Sequence, residues 1–187
     1  MRSSIRTYAA VMIELPPWAK VSEWRREHIA RVTTMLDDWA RVLAIPPDEA
    51  RAWHDAGKWH DVLRDADPDE LATLMSNGAL PPPLWHGPAA AERLRRDGER
   101  RRSVLEAIAW HTVGHPDWDR VGRALYMADY LDPGRDFARE ERTHLAAAVP
   151  TNFEGTFWDV VRHRLIWALR QGHALHPQTV AMWNTHR

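Results

Sequence analysis

The residues of this sequence with the clearest capacity for chemistry are His28, the adjacent pair His60-Asp61, His86, His111 and Asp129. Neutral imidazole suits iron, zinc, copper or nickel, and a carboxylate adds charge and can bridge two ions. His-Asp by itself is a weak motif and reads as a surface pair near a helix end. Its weight comes from its company. His28, His111 and Asp129 each fall on the apolar stripe of a helical pattern, where an unpaired polar group is costly to bury. For one histidine the economical explanation is a core imidazole bonded to a backbone carbonyl. For several such groups together with His60-Asp61, a common metal centre satisfies them all. Asp129 is the most telling, because aspartate is rarely buried without a partner.

The elements that must carry these residues read as helices. Residues 22–43 repeat Val32, Met35, Trp39 and Val42 at three- and four-residue steps, with His28 on the same face. Pro46-Pro47 breaks the chain. Asp48 and Glu49 then open a helix that turns Ala52, Trp53, Ala56 and Leu63 inward and has His60-Asp61 near its end. Asp67-Pro68-Asp69-Glu70 joins an N-cap, a proline at the first helical position and a glutamate three residues after the cap. It predicts a helix to about Asn77, stopped by Gly78. Pro81-Pro82-Pro83 predicts a rigid loop, and Trp85-His86-Gly87-Pro88 opens an alanine-rich helix over 89–97 closed by Gly98. Ser103 and Glu106 read as a capping box for a helix that aligns Val104, Ile108 and His111. A loop over 112–118 precedes a helix over 120–131 with Val121, Leu125 and Asp129 on one face. Helices near 138–148, near 154–171 and after Pro177 complete the pattern. There is no alternating β-branched run of strand length and no internal repeat, so the expected fold class is all-α.

Composition narrows the function. The chain has 187 residues, the length of one domain, with 44% hydrophobic and 27% charged residues as in ordinary globular proteins. A formal net charge of −1 gives no global field that would draw in nucleic acid or membrane. Cysteine is absent, which excludes disulfides and thiolate metal sites. The eleven tryptophans read as bulky core, and the eleven histidines point to metal or phosphate chemistry. An apolar run over 8–15, interrupted by Glu14 and ended by Pro16-Pro17, is too short and polar to span a membrane. It reads as part of a strap, residues 1–20, packed on a domain over 21–187. No Gly-rich loop ending in Gly-Lys-Ser/Thr and no Gly-x-Ser-x-Gly is present, which leaves kinase-like and serine-hydrolase readings without support.

The ordered set resembles the HD-domain metal-dependent phosphohydrolases, whose signature is His…His-Asp…Asp. In detail it is similar to the YqeK-type branch, bacterial symmetrical bis(5'-nucleosyl)-tetraphosphatases. The matching pieces are Arg25-Arg26-Glu27-His28, His60-Asp61, Leu84-Trp85-His86-Gly87-Pro88, Trp110-His111-Thr112-Val113-Gly114, Ala128-Asp129-Tyr130-Leu131-Asp132-Pro133-Gly134-Arg135 and Leu175-His176-Pro177-Gln178-Thr179. Together they run from about Val21 to Asn184, and the stretch from Ala128 to Arg135 is the most specific.

The resemblance implies an HD-domain helical bundle with a metal centre of two irons, manganese or another transition metal being the alternatives. His28, His60, Asp61 and Asp129 would hold one ion, and Asp61 would bridge to a second completed by His86 and His111. The implied reaction is symmetrical hydrolysis of diadenosine tetraphosphate to two ADP by a metal-bound hydroxide. The implied substrate contacts are Arg25, Thr112, Gly114, Tyr130 and Arg135, with Arg64 beside Asp61 in the catalytic set. A small-molecule nucleotide substrate, a cytoplasmic location and a homodimer accord with the family. The chain departs from the family pattern at Lys58-Trp59, where apolar residues are usual, and at Arg64, where a lysine is usual. Planar guanidinium and ammonium are not interchangeable, so these departures bear on substrate contacts and rate. Two other readings compete: an HD hydrolase of other nucleotides, and a nucleotide-binding module that has lost turnover.

Overall fold

The computed structural model describes residues 13–75 and 80–186. Among the described residues it is helical, with no strand: α1 (Glu23–Val42), α2 (Pro47–Trp59), α3 (Pro68–Leu74), a 3-10 turn (Pro82–Leu84), α4 (His86–Arg96), α5 (Arg102–Trp110), α6 (Arg120–Leu131), α7 (Arg139–Ala148), α8 (Phe153–Arg170) and α9 (Pro177–Asn184). The all-α expectation holds.

The helix α6 is the axis of the fold. It packs against α1, α2, α5, α7 and α8. Its sequence is apolar around most of its circumference, the pattern of a helix enclosed by others, and Val121, Ala124, Leu125, Met127, Ala128 and Leu131 are all buried. Asp119 caps it, its carboxylate accepting from the N–H of Val121 at 2.9 Å. Gly122 lies directly beneath the Trp118 ring, which leaves no room for a Cβ. The remaining helices lean on this core. The stripe of α1 is Ile29, Val32, Leu36 and Ala40, and it packs on α2. Val42, expected on that stripe, is 65% exposed: among the described residues none covers its side of the last turn.

The turn after α2 is where the fold prepares its chemistry. The strap segment Leu15, Trp18 and Ala19 packs on the core, and the Lys20 N–H donates to the carbonyl of Val62 at 2.8 Å. Asp65 closes the clasp, accepting from the Ser22 N–H at 2.7 Å while its own N–H donates to the Lys20 carbonyl at 3.1 Å. The turn that carries His60-Asp61 is therefore held between strap and α1 by backbone bonds. Residues 1–12 of the expected strap lie outside the described residues.

Local differences from the sequence reading have local causes. Ser103 is not an N-cap: α5 begins one residue earlier, with Arg101 as its cap residue. The carboxylate of Glu99 accepts from the N–H groups of Arg100 and Arg101 at 2.8 and 2.7 Å, and Glu106 pairs with Arg102 at 2.8 Å instead of reaching back. The proline loop is extended only at Pro81 before it tightens into the 3-10 turn. The expected stop at Asn77-Gly78 lies outside the described residues; α3 ends at Leu74.

Candidate metal centre

His28 comes from the first half of α1, His60 ends α2, Asp61 follows in the turn, His86 begins α4, His111 ends α5, and Asp129 lies in the last turn of α6. All are buried, none more than 7% exposed. The Asp61 carboxylate stands between two histidine sets. Its Oδ2 is 3.7 Å from Nε2 of both His28 and His60, and its Oδ1 is 3.4 Å from Nε2 of His86 and 3.3 Å from Nε2 of His111. Asp129 Oδ1 adds to the first set, 3.2 Å from His28 Nε2.

The orientation of the rings follows from helix ends. The last turn of a helix leaves carbonyls without an intrahelical partner. His60 Nδ1 donates to the carbonyl of Gly57 and His111 Nδ1 to the carbonyl of Ile108, both at 2.8 Å. A carbonyl can only accept, so the proton sits on Nδ1 and the Nε2 lone pair faces inward. His28 is oriented by Asp132, whose Oδ2 lies 2.7 Å from Nδ1. Asp132 is itself fully buried and held by Arg31 Nε at 2.7 Å and the Gly134 N–H at 3.0 Å. His86 differs: Arg64 Nη1 approaches its Nδ1 at 3.4 Å.

Electrostatics sort these groups into two kinds. Burial, reinforced by the neighbouring imidazoles, pushes His60 down to about 4 and His86 down to about 3, so both are neutral at pH 7. Burial acts on His28 in the same direction but is outweighed by hydrogen bonds to Asp129 and Asp132, which raise it to about 9. Burial would raise Asp61 and Asp129, yet the surrounding imidazoles, and for Asp129 foremost the Arg135 guanidinium, hold both well below the usual carboxylate range. Ionised carboxylates and inward lone pairs thus converge on a point that requires a positive charge. In the chain alone a proton on His28 supplies it. The donor set is equally that of a transition-metal ion, since His28, His60 and Asp61 form one compact triad and Asp61, His86 and His111 another, with Asp61 common to both. The residues fit such ions.

Arginines surround the carboxylates. Arg25 Nη1 donates to Asp61 Oδ2 at 2.7 Å, while its Nε is buried without a hydrogen-bond partner. Arg135 donates through Nε to the Asp129 carbonyl at 2.9 Å and through Nη2 to Asp129 Oδ1. A cleft of about 920 Å³ opens beside Asp129, between the loop after α5, the end of α6 and the inner face of α8. Thr112, Tyr130 and Arg135, expected to meet substrate, line it. Gly114 does not: its N–H is spent on the Trp110 carbonyl at 2.8 Å, and its α-carbon faces Met182. Arg64 also stays outside the cleft, on the carbonyl of Pro83 at 3.3 Å and against the outer side of His86.

Sequence reasoning passed over Asp132, Arg142 and Arg164 as functional residues. Asp132 stands in the most specific motif, one helical turn after Asp129. Arg142 is 1% exposed and donates to the carbonyls of Asp132, Arg135 and Phe137, fixing the turn that follows α6. Arg164 follows Val160 and Val161 by one turn on the buried stripe of α8. A charge on an apolar stripe is the signal that pointed to Asp129, and it was there to be read at Arg164.

No protein-family profile matches the chain. Individual proteins do. A protein of Halalkalibacterium halodurans named symmetrical bis(5'-nucleosyl)-tetraphosphatase is 25% identical over 172 residues, covering 88% of this chain and 89% of that protein. One of the same name from Bacillus subtilis is 23% identical, covering 69% of this chain and 73% of its own length. Among solved structures, an HD superfamily hydrolase of Clostridium acetobutylicum, described as involved in NAD metabolism, superposes with a TM-score of 0.75 at 22% identity, covering 88% of this chain and 89% of the other. The fold is that of the HD superfamily hydrolases, and the resemblance carried by the ordered motifs is matched by relatives along most of the chain.

Proposed function

We propose that this chain is a metal-dependent phosphohydrolase that cleaves dinucleoside tetraphosphates symmetrically, giving two nucleoside diphosphates. The observation that carries the reading is the double-faced Asp61, with one oxygen toward His28 and His60 and the other toward His86 and His111. His28, His60, Asp61 and Asp129 would hold one ion, and Asp61, His86 and His111 its neighbour. When bound, two such ions supply Lewis acidity to a phosphoryl group and activate water at neutral pH. Iron is the metal the resemblance favours, with manganese or another transition metal as the alternative. The names of the relatives support the substrate.

The chain's own residues do the remaining work. Asp61 and Asp129 bring negative charge into a buried site, and His60 and His111 keep their lone pairs directed inward through their Nδ1 bonds. Arg25 and Arg135 face the same carboxylates and carry donors suited to phosphate oxygens. The unpartnered Nε of Arg25 supports an anionic acceptor at that point. The cleft beside Asp129 is roomy enough for one nucleoside diphosphate half, so the scissile bridge would lie over the ligand cluster. Thr112 and Tyr130 are among the neutral polar groups on its wall. We take residues 21–187 as the hydrolase domain and 1–20 as its strap, acting in the cytoplasm on a soluble nucleotide. Among the described residues no helix is long and apolar enough to cross a membrane.

The test is a substrate panel with metal-replete protein. Diadenosine tetraphosphate should give a kcat/KM at least tenfold above that for ATP, ADP or AMP. Equal or higher values for a mononucleotide would replace this reading with that of a general nucleotide hydrolase.

A further inference from the structure

The inner face of α8 carries features that the reaction as outlined does not use. Arg164 Nη2 donates to the carbonyl of Thr112 at 2.8 Å, and its Cζ lies over the Tyr126 ring, 4.2 Å from the centroid. Those contacts fix the plane and direction of the fork. Guanidinium has five N–H donors; one serves the Thr112 carbonyl and another faces the Tyr126 hydroxyl, which leaves the rest of the fork for a ligand. Its Nη1 stands 3.7 Å from Asp129 Oδ2, beyond hydrogen-bond range but adjacent to the ligand cluster. The side chain is 21% exposed, and the exposed part borders the cleft. A charged group held rigid by packing, with unused donors beside a metal-binding carboxylate, is organised for a planar anion.

Along the same helix, away from Asp129, the cleft wall changes character. Trp167 is three residues further, nearly one turn, about 4.5 Å along the axis from Arg164 at the helical rise per residue. Trp167 lines the cleft with 57% of its surface exposed, its ring touched by that of His173 at 5.3 Å between centroids. The order is therefore carboxylate, guanidinium, then exposed indole. That is the order of a nucleoside diphosphate laid from phosphate to base.

We propose that Arg164 binds the phosphates, and Trp167 stacks on the base, of one nucleoside diphosphate half of the substrate. This rests on the nucleotide hydrolase reading above and adds to it the residues that recognise the half lying in the cleft. Stacking on an indole is tolerant of base identity, because every base has a π-face. Discrimination among bases at this subsite should accordingly be weak.

The experiment is calorimetric titration of the metal-replete protein with ADP and, separately, with inorganic pyrophosphate. Arg164→Ala should weaken both ligands on the order of tenfold, the loss of a charge-assisted contact. Trp167→Ala should weaken ADP severalfold and leave pyrophosphate unchanged. Because Arg164 also steadies the Thr112 carbonyl, Arg164→Gln serves as a second variant: it keeps an N–H for that carbonyl, lacks the charge, and should show the same loss. Metal content measured alongside should stay at the wild-type value. Wild-type affinity for both ligands in Arg164→Gln overturns the assignment of Arg164, as does a loss of binding that merely follows a loss of metal. Equal weakening of ADP and pyrophosphate in Trp167→Ala overturns the stacking role. Variants that keep wild-type affinity, with a wild-type protein that hydrolyses dinucleotides, refute this inference alone. One that binds neither ligand refutes the nucleotide reading with it.

Discussion

Replacing Asp132 with asparagine removes the buried charge that orients His28 while keeping the shape of the side chain. Asp132 Oδ2 sits 2.7 Å from His28 Nδ1, and Oδ1 sits 2.7 Å from Arg31 Nε. In metal-free protein the folded-state pKa of His28 is raised from 6.5 to about 9. A group with a raised folded pKa stabilises fully below its unfolded value and loses that contribution as pH climbs through the folded value. The window is therefore pH 6.5 to 9. The full contribution is on the order of 3 kcal/mol, because each tenfold gain in proton affinity is worth about 1.4 kcal/mol. Asp129 and Asp132 share the raising effect through their hydrogen bonds. Asp132→Asn should remove roughly half of the pH-dependent part, on the order of 1–2 kcal/mol. The assay is urea unfolding of chelator-treated wild type and variant at pH 6 and pH 9.5. Wild type should lose more stability over that interval than the variant, and the difference isolates His28 from His54, which Asp37 also raises. In the metal-binding arm, the variant should bind manganese about 10- to 100-fold more weakly, the usual cost of removing a carboxylate behind a ligating histidine. Parallel pH profiles together with unchanged manganese affinity would refute the reasoning.

Other perturbations probe other parts of the molecule. Asp61→Ala should cost more metal, by elemental analysis after dialysis, than the alanine variant of any single histidine, because both triads include Asp61. Arg135→Ala should lower kcat/KM about tenfold. It should also weaken metal binding, since Arg135 braces Asp129; unchanged values of both would deny it either role. Gly114→Ala should cost about 2–3 kcal/mol in urea unfolding, combining a φ of +88° with the close approach of Met182, which must give way. Glu99, held down to about 2 by Arg101, stabilises above its ordinary carboxylate value and loses that as pH falls toward 2. Glu99→Gln should therefore cost about 1 kcal/mol at pH 7 and much less at pH 2, read from unfolding midpoints.

Helix placement was legible because caps and breakers state it directly. α6 was read at its observed bounds from the loop over 112–118 before it and Asp132-Pro133 after it. Of the six candidate metal ligands, His28, His111 and Asp129 were legible as polar groups on apolar stripes and all six as an ordered set, and the structure gathers them into one buried cluster. What lay beyond the sequence was direction. Nothing local says that Gly114 faces Met182 and not the cleft, or that Arg64 approaches the outer nitrogen of His86. Those outcomes depend on contacts between elements distant in sequence. The Ser103 reading failed for a different reason. The helix starts upstream of Ser103, with Arg101 as its cap residue, and Glu99 binds the N–H groups of Arg100 and Arg101 at its entry.

The central claim is a site that cuts a tetraphosphate bridge at its middle, with Asp61 between two sets of histidines. Its most direct test is chromatography of the products formed from diadenosine tetraphosphate by metal-replete protein, followed from the first turnover. The account predicts ADP alone, at two per substrate consumed. ATP and AMP in equal amounts would contradict it.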